Sequence, residues 1–232
     1  MLCYDFHIHS ALSPCGDSDM TPNNIVNMAS ICGLDAIAVS DHNSIGNVKA
    51  VMEAGEKCGV CVLPAMEVET AEEIHVLTLF PDLKAAEYVY DMVYRALPDI
   101  KNKPEIFGHQ LFMDSMDNAL REEEKLLLSP TSMSLERLFD LVKEVSGLFI
   151  PAHIDRHSYS ILTNLGFMPE NLDIKKIEVS KAVTDMSAYL DSRKDLRKYE
   201  VLRNSDAHYL EDIAAVGDVL DFDDVMEIFD KR

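Results

Sequence analysis

Two histidines stand two positions apart in the stretch Tyr4-Asp5-Phe6-His7-Ile8-His9-Ser10. The stretch reads as a short apolar strand, and side chains at i and i+2 of a strand point the same way, so His7 and His9 can share one metal ion. One such pair carries little weight, because strand histidines often serve ordinary packing. Comparable groups recur, though: Ser40-Asp41-His42, Met66-Glu67-Val68 with His75 just beyond, Ala152-His153-Ile154-Asp155 and Ser205-Asp206-Ala207-His208. Six of the eight histidines fall in these groups, a sorting that chance seldom produces. Together with Asp17, the candidates are His7, His9, His42, Glu67, His75, His153, Asp206 and His208. Imidazole and carboxylate donors suit Zn, Mn or Fe, and no thiolate is required. The set is too large for one ion of ordinary coordination number and fits two or three divalent ions, a carboxylate bridging a pair. Ions about 3.5–4 Å apart can generate hydroxide at neutral pH and hold both the attacking and leaving oxygens of a phosphate ester. Any single histidine could instead be a core residue satisfied by backbone; all six together make that reading poor.

The elements that must carry these groups follow a regular rhythm. Thr21 and Pro22 open a helix with a buried stripe of Ile25, Met28, Ala29 and Cys32, and Gly33 stops it. Leu34–Val39 is an apolar strand delivering Asp41 and His42. A helix from about Ile45 to Lys57, a strand Val60–Met66 closing on Glu67, and a strand Glu73–Phe80 carrying His75 come next. Strand, polar loop and helix at this spacing predict βα units and a parallel sheet, in which chemistry gathers at the C-terminal ends of strands. From 82 to 131 the rhythm breaks into a helical excursion, with helices expected over Ala85–Leu97 and Leu111–Leu128. His109 in that stretch reads as a solvated loop residue, and Met113, Met116 and Met133 as packing. Ser134 opens a helix to about Glu144. Strands Leu148–Pro151, Asp173–Ser180 and Tyr199–Leu202 then deliver His153, Lys181 and the Asp206–His208 pair, and a helix Phe222–Lys231 closes the chain. No linker or repeat divides the 232 residues, so a single domain, 1–232, is expected.

The chain carries 21 basic against 41 acidic residues, a formal net charge of −20. That balance argues against a nucleic-acid polymer or an anionic membrane as partner. No apolar run approaches a membrane span. The five cysteines and the absence of a leader predict a reducing, cytoplasmic setting. Cys58-Gly59-Val60-Cys61 has metal-knuckle spacing but no second pair, and reads as structural.

In order along the chain, His7-Ile-His9, Ser40-Asp41-His42, Glu67, His75, Pro151-Ala-His153 and Ser205-Asp206-Ala-His208 resemble the motifs of the PHP (polymerase and histidinol phosphatase) family. The resemblance runs from the first strand to residue 208. It implies an α/β fold, a distorted seven-stranded β/α barrel related to the TIM barrel. It also implies a metal-dependent phosphoesterase with two to three ions of Mn, Fe or Zn, hydrolysing small phosphate esters (a nucleotide or a phosphorylated metabolite) through a metal-bound hydroxide. On that resemblance His7, His9, Glu67 and Asp206 hold a first ion, Glu67 bridges to a second held by His75 and His153, and His42 and His208 hold a third. The remaining ligand of the third ion departs from the family pattern, because Pro14 stands where an acidic residue or histidine is usual. Asp17 is the first choice, Asp19 the second and Cys15 the third. Asp41 could orient the imidazole of its neighbour or cap a turn. Arg156 and His157 could clamp substrate phosphate, with Lys181 a weaker candidate. Other readings are a histidinol-phosphate phosphatase-like enzyme, a metal-binding barrel that serves as a binding module without turnover, and a metal-dependent amide hydrolase.

Overall fold

The computed structural model describes residues 3–214. The expected closing helix Phe222–Lys231 lies outside the described residues. The chain opens with strand β1 (Tyr4–Ile8), whose five residues are all buried. Helix α1 (Pro22–Ile31) follows; the Thr21 hydroxyl accepts from Asn24 N–H and Pro22 takes the first turn, as the sequence predicts. Strand β2 (Ala36–Val39) leads to helix α2 (Val48–Cys58), which ends on Gly59 in the left-handed region at φ 75°. Strand β3 (Cys61–Glu69) runs into strand β4 (His75–Leu79). Helix α3 (Leu83–Ala96) is capped by the Asp82 carboxylate, and α4 (Pro104–Phe107) is a single turn. A short hairpin, β5 (Leu111–Met113) and β6 (Ala119–Glu122), precedes helix α5 (Leu135–Glu144). Strand β7 (Leu148–Pro151), helix α6 (Ile161–Leu165), strand β8 (Lys176–Val179), helix α7 (Met186–Ser192) and strand β9 (Glu200–Arg203) complete the series.

The backbone ladders form a five-stranded sheet in the order β1-β2-β3-β4-β7 and a two-stranded parallel sheet of β8 and β9. The parallel expectation holds from β1 to β3 and fails at β4, which is antiparallel to both β3 and β7. The reason is local: Thr70 N–H donates to Ile74 C=O, closing a tight turn with no helix between the strands. Reversal has a useful result. Because β4 runs backwards, its first residue, His75, arrives at the rim where the other strands end, paired across from Glu69.

Two links join the sheets. Ile154 N–H donates to Glu178 C=O at 2.9 Å, and at the far edge His9 N–H donates to Ala207 C=O at 2.9 Å while Ala207 N–H returns to His7 C=O at 3.2 Å. Both links are short because His153 and Asp206 take positive φ (30° and 51°), turning the chain out of its strand just where a ligand is presented. The sheet curls around a fully buried interior of Tyr4, Phe6, Ala36, Leu63, Leu77 and Ile150. A second cluster, built on Ile25, Ile37, Val39 and Val51, seats α1 and α2 on the outer face. A third seats α3 and α5, whose Leu138, Leu141 and Val142 are buried.

The predicted helix over Leu111–Leu128 is absent, and the β5–β6 hairpin stands in its place. Asp114 Oδ1 accepts from Met116 N–H and Asn118 N–H (both 2.9 Å), and Asp117 sits at φ 62°, so a turn wins over helix propensity. The excursion therefore carries one long helix, one single-turn helix and a hairpin.

Candidate metal centre

Every strand of the curled sheet delivers a polar group to one rim. From β1 come His7 and His9, from β2 Asp41 and His42, from β3 Glu67, from the start of β4 His75, from β7 His153, and from the turn after β9 Asp206 and His208. All but His208 are less than 9% exposed, although each is ionisable. Burying such a set without compensation is costly, so the arrangement asks for a counter-charge.

Glu67 is the hub. Its Oε1 lies 3.2 Å from His7 Nε2, 3.0 Å from His75 Nδ1 and 3.2 Å from His153 Nε2; its Oε2 lies 3.0 Å from His42 Nδ1 and 3.5 Å from His9 Nε2. Asp206 Oδ1 lies 3.1 Å from His9 Nε2 and 3.4 Å from His7 Nε2. Two donors bound about 2.1 Å from one tetrahedral ion stand about 3.4 Å apart, so these separations are those of neighbouring ligands on a shared ion. Several of the atoms lack a hydrogen bond: His7 Nε2, His42 Nδ1 and Glu67 Oε2 are buried and unpartnered. Orphaned polar atoms are rare in a folded interior and call for an ion or water. The residues present therefore fit divalent cations.

Electrostatics divide the imidazoles. Burial opposes charge on His7, but Glu178, Glu67 and Asp206 overcome it and hold the ring well above the usual histidine range. Likewise His75, though buried, is raised to about 9 by Glu67. Burial pulls His42 well below the usual range, the adjacent His9 and His75 helping against Glu67, and it takes His208 down to about 4. Burial alone would raise Glu67 and Asp206; the surrounding histidines instead hold both well below the ordinary carboxylate range. At neutral pH the centre thus offers two ionised carboxylates together with the neutral imidazoles of His42 and His208.

Glu178, which sequence reasoning missed, fixes the His7 ring and the backbone of His153. Both its oxygens lie 3.0 Å from His7 Nδ1, it accepts from His153 N–H at 3.0 Å, and Asn204 Nδ2 donates to it at 2.7 Å. With Nδ1 committed to a carboxylate, His7 turns Nε2 toward Glu67 and Asp206. The clue lay in alternation on β8: if Ile177 and Val179 face one side, Glu178 faces the other. Asp41 does not bind the neighbouring His42 ring, as one of its two readings held. It accepts from Ser10 N–H (2.7 Å), Ser10 Oγ (2.6 Å) and Ser13 Oγ (2.7 Å), and Ser13 Oγ sits 3.0 Å from His9 Nδ1. Asp41 therefore steadies His9 through a serine and knits the loop that follows it.

A cavity of about 440 Å³ opens over the hub. Phe107, Leu128, Arg156, Ser158 and Tyr159 line it above the ligands. Arg156 Nη2 contacts Asp206 Oδ2 at 2.6 Å, its side chain 43% exposed. Tyr159 stacks on the His75 ring with centroids 4.7 Å apart, and its carbonyl accepts from His75 N–H. His157 is exposed and outside the cavity wall, and Lys181 pairs with Asp212 instead of facing it. His109, expected to be solvated, is exposed and pairs with Glu122 at 2.8 Å. The Asp17 carboxylate accepts from Asp19 N–H at the surface, and neither acid joins the ligand groups. Cys15 does join them: its thiol and one nitrogen each of His9, His42 and His208 all lie within 4.8 Å of one another. Burial and the charges of Glu67 and Asp206 push that thiol up.

The family model for the PHP domain matches residues 5–170. The chain belongs to the PHP domain family. Asp206 and His208 of this PHP protein lie past the matched span, and the link from His9 to Ala207 brings them back to it. A search of curated proteins finds no match. Among solved structures, the lesion-specific endonuclease Q from Pyrococcus furiosus superposes with a TM-score of 0.68 at 20% identity, covering 90% of this chain and 49% of that one. The chain thus spans about half the length of that protein. A Bifidobacterium adolescentis protein named as a metal-dependent phosphoesterase gives 0.61 at 18% identity, with 98% and 96% covered. An amidohydrolase from Chromobacterium violaceum, solved with sulfate and no metal, gives 0.65 at 18%, with 99% and 96% covered. At these identities the likeness is one of fold. Among the described residues no helix is long and apolar enough to cross a membrane, and none of the five cysteines is in a disulfide.

Proposed function

We propose that this PHP domain is a metal-dependent hydrolase of small phosphate esters, nucleotides or phosphorylated metabolites among them. The observation that carries the reading is Glu67, one buried carboxylate with five imidazole nitrogens within 3.5 Å, on the floor of a cavity whose mouth holds an arginine. His7, His9, Glu67 and Asp206 would hold one ion, Glu67, His75 and His153 a second, and His42 and His208 take part in a third. Such ions, when bound, activate water at neutral pH and offset the charge that builds on a phosphate in the transition state. The chain's own part is to orient and to bind. Glu178 fixes His7 and His153, Ser13 fixes His9, and Arg156 presents the guanidinium N–H groups that Asp206 leaves free to phosphate oxygens. A cavity of about 440 Å³ suits a small ligand, and the charge of −20 stands against a polyanion. The same reading takes the two sheets as one distorted seven-stranded barrel, supported by the links at Ile154–Glu178 and His9–Ala207.

The test is to purify the chain without chelator, count ions by elemental analysis, and screen nucleotides and phosphorylated metabolites for phosphate release. Two to three ions per chain, with turnover that chelation and Glu67→Ala or His153→Ala each remove, is the expected result. A fully loaded, folded and inactive chain would favour a binding module instead.

A further inference from the structure

We propose that Cys15 supplies a thiolate to the ion held by His42 and His208, giving one position of the centre a sulfur donor and a preference for Zn²⁺ over Mn²⁺. The inference rests on the metal-dependent reading of the centre.

Four residues compete for this position, and hydrogen bonding reduces them to three. His9 has a single nitrogen to give, because Nδ1 is engaged by Ser13 Oγ; its Nε2 leans toward Asp206 at 3.1 Å, in the group formed with His7. His208 Nδ1 donates to the Asp206 carbonyl at 2.9 Å, which fixes the tautomer and leaves Nε2 with its lone pair for a ligand. His42 is 4% exposed, and its Nδ1 stands 3.0 Å from Glu67 Oε2 without making a hydrogen bond. Cys15, in the cavity wall, is the remaining donor.

The loop is built to hold the thiol there. Asp17 N–H donates to His208 C=O at 2.9 Å, so the segment that carries Cys15 is tied to one of its partners. Gly16 N–H donates to Ser13 C=O, and a Cβ at Gly16 would stand 2.5 Å from Ser10 C=O, so this turn admits only glycine. On the other side Gly108, at φ 100°, packs so closely that a Cβ would lie 2.1 Å from Pro14 C=O. Asp17 contributes its backbone to the centre, and Cys15 its side chain. Two imidazoles and a thiolate match Zn²⁺ and leave a position open, whereas Mn²⁺ favours oxygen donors.

Cobalt(II) is the probe. The full chain, stripped with chelator and refilled with Co²⁺, is expected to show a thiolate-to-cobalt charge-transfer band in the near ultraviolet. Cys15→Ser should lose the band while still binding cobalt at the other positions, and Cys3→Ser and Cys61→Ser should keep it. Cys15→Asp, which restores a donor, should bind as many ions as the wild type without the band, and lose at least tenfold in preference for Zn²⁺ over Mn²⁺. Cobalt bound without a band in the wild type, or a band surviving in Cys15→Ser, would overturn the thiolate while sparing the centre. Failure of the wild type to bind cobalt at all would bring down both readings.

Discussion

Glu178 holds His7 by its ring nitrogen and His153 by its backbone N–H, so a single side chain orients one imidazole and pins the chain that carries another. Replacing it with glutamine keeps the shape and removes the charge that offsets the effect of burial on His7. Glu178→Gln should weaken metal binding by roughly 10–100-fold with the fold intact, measured by competition against a chromophoric chelator; unchanged affinity would remove Glu178 from the centre. Arg156 is the other residue with a separable role. Arg156→Ala should lower kcat/KM for a phosphate ester by about 1.5–3 kcal/mol, expressed mainly in KM, and Arg156→Lys should restore part of it. His157→Ala, at an exposed side chain, should change neither constant. Most of the strand-end histidines and acids were legible in the sequence because they sit where an apolar run stops; His75 instead opens its strand. Glu178 was hidden by its strand, where an acid between Ile177 and Val179 looks like an ordinary alternation of faces. Cys15 ranked only third among the loop residues, because no period constrains which side chain of a loop turns inward.

A reversed strand and a hairpin depart most from the βα rhythm; the short helices α4, α6 and α7 were also unforeseen. Rhythm predicts direction only where a helix separates two strands, and between β3 and β4 a tight turn takes the helix's place. The hairpin of the excursion was misread because Leu111 to Leu128 is apolar enough to suggest a helix, while its turn depends on a few short polar residues. Asp114→Ala removes the acceptor for Met116 N–H and Asn118 N–H, and should loosen the hairpin, read as faster hydrogen exchange between 111 and 122. Behind this hairpin, Gly108→Ala forces a side chain against Pro14 and into a left-handed backbone. It should displace the Cys15 loop and lower the melting temperature, and an unchanged melt would show that the loop yields freely. Helix starts fared better, since Thr21 and Ser134, both expected to open helices, cap them through their side chains; Asp82, which caps the helix expected to begin at Ala85, was not foreseen.

For the molecule as a whole, the centre sets conditions on stability. Ions that bind only the folded chain stabilise it by about 4 kcal/mol each at a thousandfold excess over their dissociation constant, so chelation should lower the melting temperature sharply. Asp5 gives a pH dependence of its own. Burial raises it from 3.8 to about 6, against the hydrogen bonds from Ser205 and His7. A carboxyl with a raised folded pKa contributes fully below its unfolded value and loses that contribution as pH rises through the folded one. Asp5→Asn, neutral throughout, should therefore gain on the metal-free wild type between pH 4 and pH 7 by up to on the order of 3 kcal/mol, seen in urea midpoints; a difference independent of pH would refute it. The bond from His9 to Ala207 has a consequence in time. It joins residues 198 positions apart (207 − 9), and the Asp206 carboxylate beside it faces both His7 and His9. During synthesis His7 and His9 therefore wait for their Asp206 partner until residue 207 has left the ribosome. Closing so long a loop is slow, and a cation bound in that position would work as a clasp, fastened only when β9 and the turn after it arrive.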